Sequence, residues 1–256
     1  MKSGSTFVAK VLALYFDAQR VEPVPYWGRL EQNLYEPMVA PHLDRGLVLQ
    51  MHLKPHVPNL DLLRNLGFEI VWVWRNLGDV IVSFDDHIRN EDYRNPVCYV
   101  HDRDTYLAMP AERRYNYLID HAIPWYIGFW LSWQRARTEL PFVETHYETL
   151  AEDPFSYFAP AIRGLGHELD EERLRGILSC QIPGTRFNKG VNGRSASLLS
   201  AENKRRLESM LLDHFEDLRP LCRELPWPAS LSRTAPRARF IERVRRAAGR
   251  FAGKPS

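Results

Sequence analysis

The run Phe68-Glu69-Ile70-Val71-Trp72-Val73-Trp74 constrains this chain more than any other segment. β-Branched and aromatic side chains are stiff at χ1 and suit a pleated surface, so the run reads as a strand. Gly78 to His87 follows as a helix, with Asp79 in its first turn, where a carboxylate suits the helix dipole. Leu47 to Met51 is short, apolar and bounded by Gly46 and His52, and it reads as a second, buried strand. Phe142 to Tyr147 is a third strand candidate. Helical spacing runs over Phe7 to Phe16, Asp120 to Glu139, Asp153 to Leu165, Glu171 to Ser179 and Ala201 to Phe215. A shorter helix spans Asn59 to Asn65 and ends at Gly67. Strands alternating with helices predict an α/β fold whose parallel sheet is covered on both faces. Ligands in such folds bind beyond the carboxyl ends of the strands.

Composition limits the remaining choices. With 256 residues, 45% apolar, 26% charged and 12% aromatic, the chain can bury a full core and is neither fibrous nor disordered. Its longest apolar stretch, Ala122 to Trp133, is about 12 residues, short of the ~20 that cross a bilayer. Near the start, Lys10 interrupts the apolar block and no small-residue cleavage site follows before Asp17, which argues against a signal peptide. Cys98, Cys180 and Cys222 are odd in number, far apart and without a C-x-x-C pair, which argues against a disulfide scaffold and a zinc site and points to a reducing, cytoplasmic setting. Charge is uneven: Arg233 to Ser256 carries eight basic residues against Glu242, a net +7, which leaves −5 elsewhere in a chain of net +2. Residues 1–228 therefore read as one domain and 229–256 as a basic helical tail. Membrane contact through that tail is the less favoured reading, behind a solvated helix packed by Phe240, Ile241, Val244 and Phe251; no nucleic-acid partner is expected.

Three segments carry anion-binding chemistry. Lys2-Ser3-Gly4-Ser5-Thr6-Phe7 is a small-residue loop leading into a helix, which presents backbone N–H groups and a positive dipole end. Gly4 allows close approach, the hydroxyls add donors and Lys2 adds a point charge. The chain contains no G-x-x-x-x-G-K-[ST] motif. In the second segment, Arg75 stands at the carboxyl end of the strongest strand, and Ser83 lies about two helical turns further on. A guanidinium and a hydroxyl so placed suit a second phosphate. The third, Arg186-Phe187-Asn188-Lys189-Gly190-Val191-Asn192-Gly193-Arg194, is a basic, glycine-containing loop able to fold over an anion.

Taken together, these segments resemble the cytosolic-type sulfotransferases that use the donor PAPS. The first resembles their P-K-S-G-T-T-W loop, the second their R-N-x-x-D-V-x-V-S segment, and the third their R-K-G-x-x-G-D-W loop. Tyr147-Glu148-Thr149-Leu150-Ala151-Glu152-Asp153-Pro154 resembles their Y-E-D-L-x-x-D-P run. The resemblance implies a P-loop NTPase-like, three-layer sandwich with a central parallel sheet. It implies that Lys2, Ser3, Gly4, Ser5 and Thr6 hold the 5′-phosphosulfate. It assigns Arg75, Ser83, Asn188, Lys189 and Gly190 to the 3′-phosphate, and Phe7 and Tyr147 to the adenine. His52, in His52-Leu53-Lys54-Pro55, matches the family's histidine base, with His56 as the competitor. Lys2 would also stabilise charge on the bridging oxygen as PAP leaves. The acceptor is implied to be a small-molecule hydroxyl or amine, and no metal is implied.

Asn188 replaces an arginine of that family pattern, and Arg194-Ser195 replaces its acidic-aromatic pair. The family places a buried strand and a proline ahead of the loop, whereas only Met1 precedes Lys2 here, so the expectation is either a misplaced or trimmed start or a sheet without its first strand. A P-loop-like kinase and a truncated, nucleotide-binding pseudoenzyme are the alternative readings. Trp27, Tyr93, Tyr99, Trp125, Tyr126 and Trp130 are candidates for an aromatic acceptor pocket; Arg89, Arg94 and Arg103 would instead favour an acidic acceptor.

Overall fold

A computed structural model describes residues 3–21, 32–90, 100, 102–183 and 191–212. Lys2, Asn188, Lys189, Gly190, Trp27, Tyr93, Arg94, Tyr99 and the basic tail lie outside the described residues. In chain order the elements are α1 (Ser5–Tyr15), β1 (Gln19–Val21), α2 (Glu36–Val39), a 3-10 turn (Ala40–Arg45), β2 (Leu47–Leu49), α3 (Val57–Asn65), β3 (Val71–Trp74), α4 (Leu77–Asn90), α5 (Arg103–Ala108) and α6 (Ala111–His121). They continue as α7 (Ile123–Ala136), β4 (Val143–His146), α8 (Tyr147–Glu152), α9 (Pro154–Gly164), α10 (Glu171–Ser179), α11 (Arg194–Leu198) and α12 (Ala201–Leu212).

Every described strand pair is parallel. β1 pairs with β2, and β3 pairs with β4, with Val71 opposite Val143 and Trp74 opposite His146. The expected single sheet is thus present among the described residues as two separate two-stranded pieces. The edges of β2 and β3 flank a cavity instead of bonding to each other.

Two helical groups hold these pieces. On one side α1 packs against α10, and α9 contacts α8, α10 and β4. Val8, Val11, Leu12, Tyr15, Leu150, Phe158, Ile162 and Leu174 form their shared core. Tyr157, whose hydroxyl lies 2.7 Å from Thr145 Oγ1, ties this core to β4. On the other side α4 contacts α6 and α11 and has twelve buried residues. Among them is Asp85, only 1% exposed, and a charge that deep needs partners. Tyr106 donates to it at 2.8 Å and Arg114 Nε at 2.7 Å, stitching α4 to α5 and α6. Burial and the Asp85 charge push the Tyr106 hydroxyl's pKa far above the ordinary tyrosine value.

Several elements differ from the sequence-based expectation. The helix expected over 120–139 is α7, which begins only at Ile123; residues 120 and 121 close the unanticipated α6, and Ala122 stands between the two. Pro124 supplies the reason: lacking an N–H, it fits the first turn of α7 and would break the interior of one long helix. The strand expected from Phe68 begins at Val71, although Val143 N–H still donates to Ile70 O at 2.8 Å. The strand expected over 47–51 ends at Leu49. β1 was not anticipated, because its Gln19 and Arg20 are polar and exposed and pairing with β2 alone makes it a strand.

Candidate functional site

The site is built where α1, β3, α4, α8 and the segment 191–195 meet. Gly4 caps α1 with φ 73°, a left-handed conformation that glycine adopts without strain. A Cβ there would also lie 3.0 Å from the Tyr147 ring and 3.1 Å from Leu150, so close packing and backbone conformation both select glycine. The first N–H groups of α1 follow immediately, and helix geometry leaves such groups without intrahelical acceptors. Gln50, one residue past β2, donates to Ser5 Oγ at 2.9 Å and to Thr6 Oγ1 at 3.1 Å. Ser3 is 6% exposed and joins Ser5, His52 and Arg75 in lining the cavity between β2 and β3.

Arg75 leaves the carboxyl end of β3 and is itself 6% exposed. Its guanidinium carbon lies 4.0 Å from the centre of the Tyr147 ring, a cation–π contact. It donates to Val191 O at 3.2 Å and pairs with Asp79 at 3.6 Å. Tyr147 is 5% exposed, with Arg75 over its ring and Gly4 beside it. Burial raises the Tyr147 pKa, while the Arg75 charge opposes the shift. Ser83, two turns into α4, is 7% exposed.

Asp79 organises the same corner. Its two carboxylate oxygens accept from Gly193 N–H at 2.7 Å and Ser195 N–H at 2.8 Å. Asn192 Nδ2 donates to Glu148 O at 3.0 Å, and the Glu148 carboxylate accepts from Asn76 N–H at 2.9 Å. Arg194 pairs with Asp86 at 2.7 Å. Gly78 sits so close to Ser195 that a Cβ would meet its side chain at 2.8 Å. These contacts fasten the end of the third motif onto the start of α4. Sequence reasoning assigned Asp79 only to the helix dipole and missed Glu148 and Asn192. Their partners are over 40 residues away in the chain, so spacing carried no signal.

The segment after β2 carries both candidate histidines. Trp133 Nε1 donates to Leu53 O at 2.9 Å, and the buried Asn59 donates to Lys54 O at 2.8 Å, holding the segment between them. His52 lines the cavity, its ring edge-on to Trp125 with centroids 6.1 Å apart. His56 instead precedes α3, with Nε2 2.7 Å from Asn33 Oδ1 and 3.2 Å from Asn59 Nδ2. It is not among the cavity's lining residues. His42 contacts Gln19, and His87 is buried in α4. Phe7 packs against Phe158, with ring centroids 6.1 Å apart.

The cavity has a volume of about 460 Å³, and Trp125, Tyr126 and Trp130 contribute to its wall. Arg103 is occupied by the carbonyls of Ile88 and Arg89, while Arg89 faces Asp85 and Asp86. Among the described residues no cluster of three or more metal-ligating side chains occurs, and no helix is long and apolar enough to cross a membrane.

No protein-family profile and no curated protein matches this sequence. Among solved structures, the crystal structure of mouse sulfotransferase SULT7A1 complexed with PAP matches with a TM-score of 0.55 and 17% identity. The match covers 85% of this chain and 81% of that one. At that identity the likeness is one of architecture: this chain, helix-rich with small parallel sheets, has a sulfotransferase-like fold.

Proposed function

We propose that this chain is a sulfotransferase that moves a sulfuryl group from PAPS to a hydroxyl or amine of a small-molecule acceptor, releasing PAP. One observation carries the reading: the start of α1, Arg75 and the end of the basic loop converge on one corner, held together by Tyr147 and Asp79. That corner offers a helix N-terminus and a buried guanidinium, two anion sites for a donor with phosphates at two positions. The likeness to a PAP-complexed sulfotransferase supports the same assignment.

In this reading Lys2, Ser3, Gly4, Ser5 and Thr6 hold the 5′-phosphosulfate. Arg75 and Ser83, with Asn188, Lys189 and Gly190, hold the 3′-phosphate. Phe7 and Tyr147 lie on the adenine side. The acceptor oxygen attacks sulfur as the bond from sulfur to the bridging oxygen breaks, and that electron pair leaves on the 5′-phosphate of PAP. His52 takes the acceptor's proton, a role suited to a group whose reference pKa is about 6.5. Lys2 neutralises charge on the leaving oxygen. In-line transfer of this kind depends mainly on alignment and charge stabilisation. Trp125, beside His52, presents an aromatic wall to the acceptor.

Thermal unfolding with PAP, ADP and ATP tests the donor. PAP at 100 times its Kd stabilises by about 2.7 kcal/mol, a visible shift in midpoint. Stabilisation by ATP and not by PAP would replace this reading with a kinase-like one. PAP binding without transfer of labelled sulfate to any of a broad panel of phenols, sterols and sugars would leave a nucleotide-binding protein without the activity.

A further inference from the structure

Asp79, Ser83 and Asp86 share one face of α4, at spacings i, i+4 and i+7. All three are buried, at 2%, 7% and 6% exposed. Carboxylates this deep need positive partners, and each has one close by. Arg75 pairs with Asp79 at 3.6 Å, and Arg194 pairs with Asp86 at 2.7 Å. The more exposed Arg89 reaches Asp86 only at 3.9 Å. At ~1.5 Å per residue, Ser83 lies ~6 Å along the helix axis from Asp79 and ~4.5 Å from Asp86. The two guanidiniums are therefore docked on either side of the Ser83 position.

Further contacts fix Arg194 at this corner. Its chain neighbours Gly193 and Ser195 both donate their N–H groups to the Asp79 carboxylate. Burial raises the Tyr147 pKa, and the charges of Arg75 and Arg194 both oppose that rise, so both cations act on the same ring. Asp86 engages Arg194 through Nη2. A guanidinium carries five N–H donors, and those on Nε and Nη1 of Arg194 meet no acceptor among the described residues.

We propose that Arg194 is a second guanidinium of the 3′-phosphate site, closing on the phosphate from the side of Ser83 opposite Arg75. The inference rests on the reading of PAPS as donor. Charge supplies the need. The groups assigned to that phosphate are Arg75, Ser83, Asn188, Lys189 and Gly190, of which only Arg75 and Lys189 are cationic. Asp79 already offsets Arg75. A phosphate monoester carries about −1.5 to −2 charges at pH 7, so balance calls for a further cation. Arg194 supplies it as a planar fork that matches phosphate oxygens bidentately. Asp86 holds one edge of that fork before the nucleotide arrives, which limits the ordering cost of binding.

The test compares PAP with adenosine 5′-phosphate, which lacks the 3′-phosphate, by calorimetry on the full chain. Arg194→Gln weakens PAP at least tenfold and leaves adenosine 5′-phosphate within twofold. Arg194→Lys keeps the charge facing Asp86 but loses the fork; it weakens PAP at least threefold and decides the question where the glutamine variant fails to fold. Asp86→Asn removes a carboxylate beside the bound phosphate, so PAP binds as tightly as to the parent chain or more tightly. A purely structural latch between α11 and α4 predicts otherwise: Arg194→Gln and Asp86→Asn then weaken both nucleotides alike and lower the thermal midpoint together. That pattern, or PAP affinity within twofold of the parent in both Arg194 variants, overturns the assignment of Arg194 while the donor reading stands. A parent chain that binds PAP no better than adenosine 5′-phosphate overturns the donor reading itself, and the 3′-phosphate site with it.

Discussion

Asp79→Asn is the sharpest probe of how this site is held. The carboxylate is 2% exposed, accepts two backbone N–H groups at 2.7 and 2.8 Å, and faces Arg75 at 3.6 Å. Asparagine keeps the shape but offers only one acceptor oxygen. One N–H bond survives in neutral form, and the amide NH₂ then confronts the other N–H. Charge-assisted bonds contribute about 1.5–3 kcal/mol each, and an orphaned buried donor costs about 1–3 kcal/mol. Removing one partner of a buried ion pair costs about 3–5 kcal/mol by itself. These figures overlap because they describe the same contacts, so the expected loss is about 3 kcal/mol. For a domain of this size that is roughly 6–12 °C in thermal midpoint. Local consequences separate this from general damage: exchange at Gly193 and Ser195 rises more than at the buried Leu118 and Ile119, and PAP binding weakens at least tenfold. Pairing Asp79→Asn with Arg75→Met in a double-mutant cycle yields a coupling of at least ~1 kcal/mol. A midpoint change under ~2 °C with unchanged exchange at residues 193 and 195 would refute the reasoning.

Gly78→Ala pushes a methyl to 2.8 Å from Ser195 and costs about 1–3 kcal/mol; Ser195→Gly in the same chain recovers most of it, as denaturant midpoints will show. His52→Ala lowers turnover by about 10²–10⁴-fold while PAP affinity stays within twofold, by transfer assay and calorimetry; retained turnover moves the base elsewhere. Asp153 caps α9, accepting from the Ser156 hydroxyl and from the Phe155 and Ser156 N–H groups, and these bonds, the hydroxyl's first, hold its carboxyl below the usual carboxylate range. Its stabilising contribution is therefore present above the unfolded pKa near ~3.9 and fades as pH falls through the lower folded value. Asp153→Ala thus lowers the melting midpoint at pH 7, and the deficit relative to the parent shrinks at acid pH.

Where the chain's own periodicity carried the information, element type was legible. Glu171–Ser179 matches α10 at both ends, and Asp153 was read as the start of a helix that it in fact caps. Asp153-Pro154 is a local signal, a side-chain acceptor followed by a residue with no N–H to satisfy. The start of α7 was also written in the chain, in Pro124, but the surrounding aromatic run masked it. β1 was invisible, since three residues with two exposed polar side chains have no pattern of their own.

The candidate site divides in the same way. Gly4 and Arg75 stood out in the sequence because each belongs to a local unit, a loop entering a helix and a strand end, whereas His52 was singled out by the family resemblance alone. Local chain geometry sets those positions within a few residues, and residue type follows. What the tertiary structure alone decided is which of these units share a corner. The Asp79 bonds to residues 193 and 195, the Asn192–Glu148 link and the Arg75–Tyr147 contact join segments 44 to 116 residues apart. The separation of β2 and β3 into two two-stranded pieces among the described residues is likewise a property of strand pairing, which neither strand shows by itself. Periodicity and caps are properties of neighbours along the chain. Burial, charge pairing and strand order depend on which distant segments pack together, and only the folded chain brings those into contact.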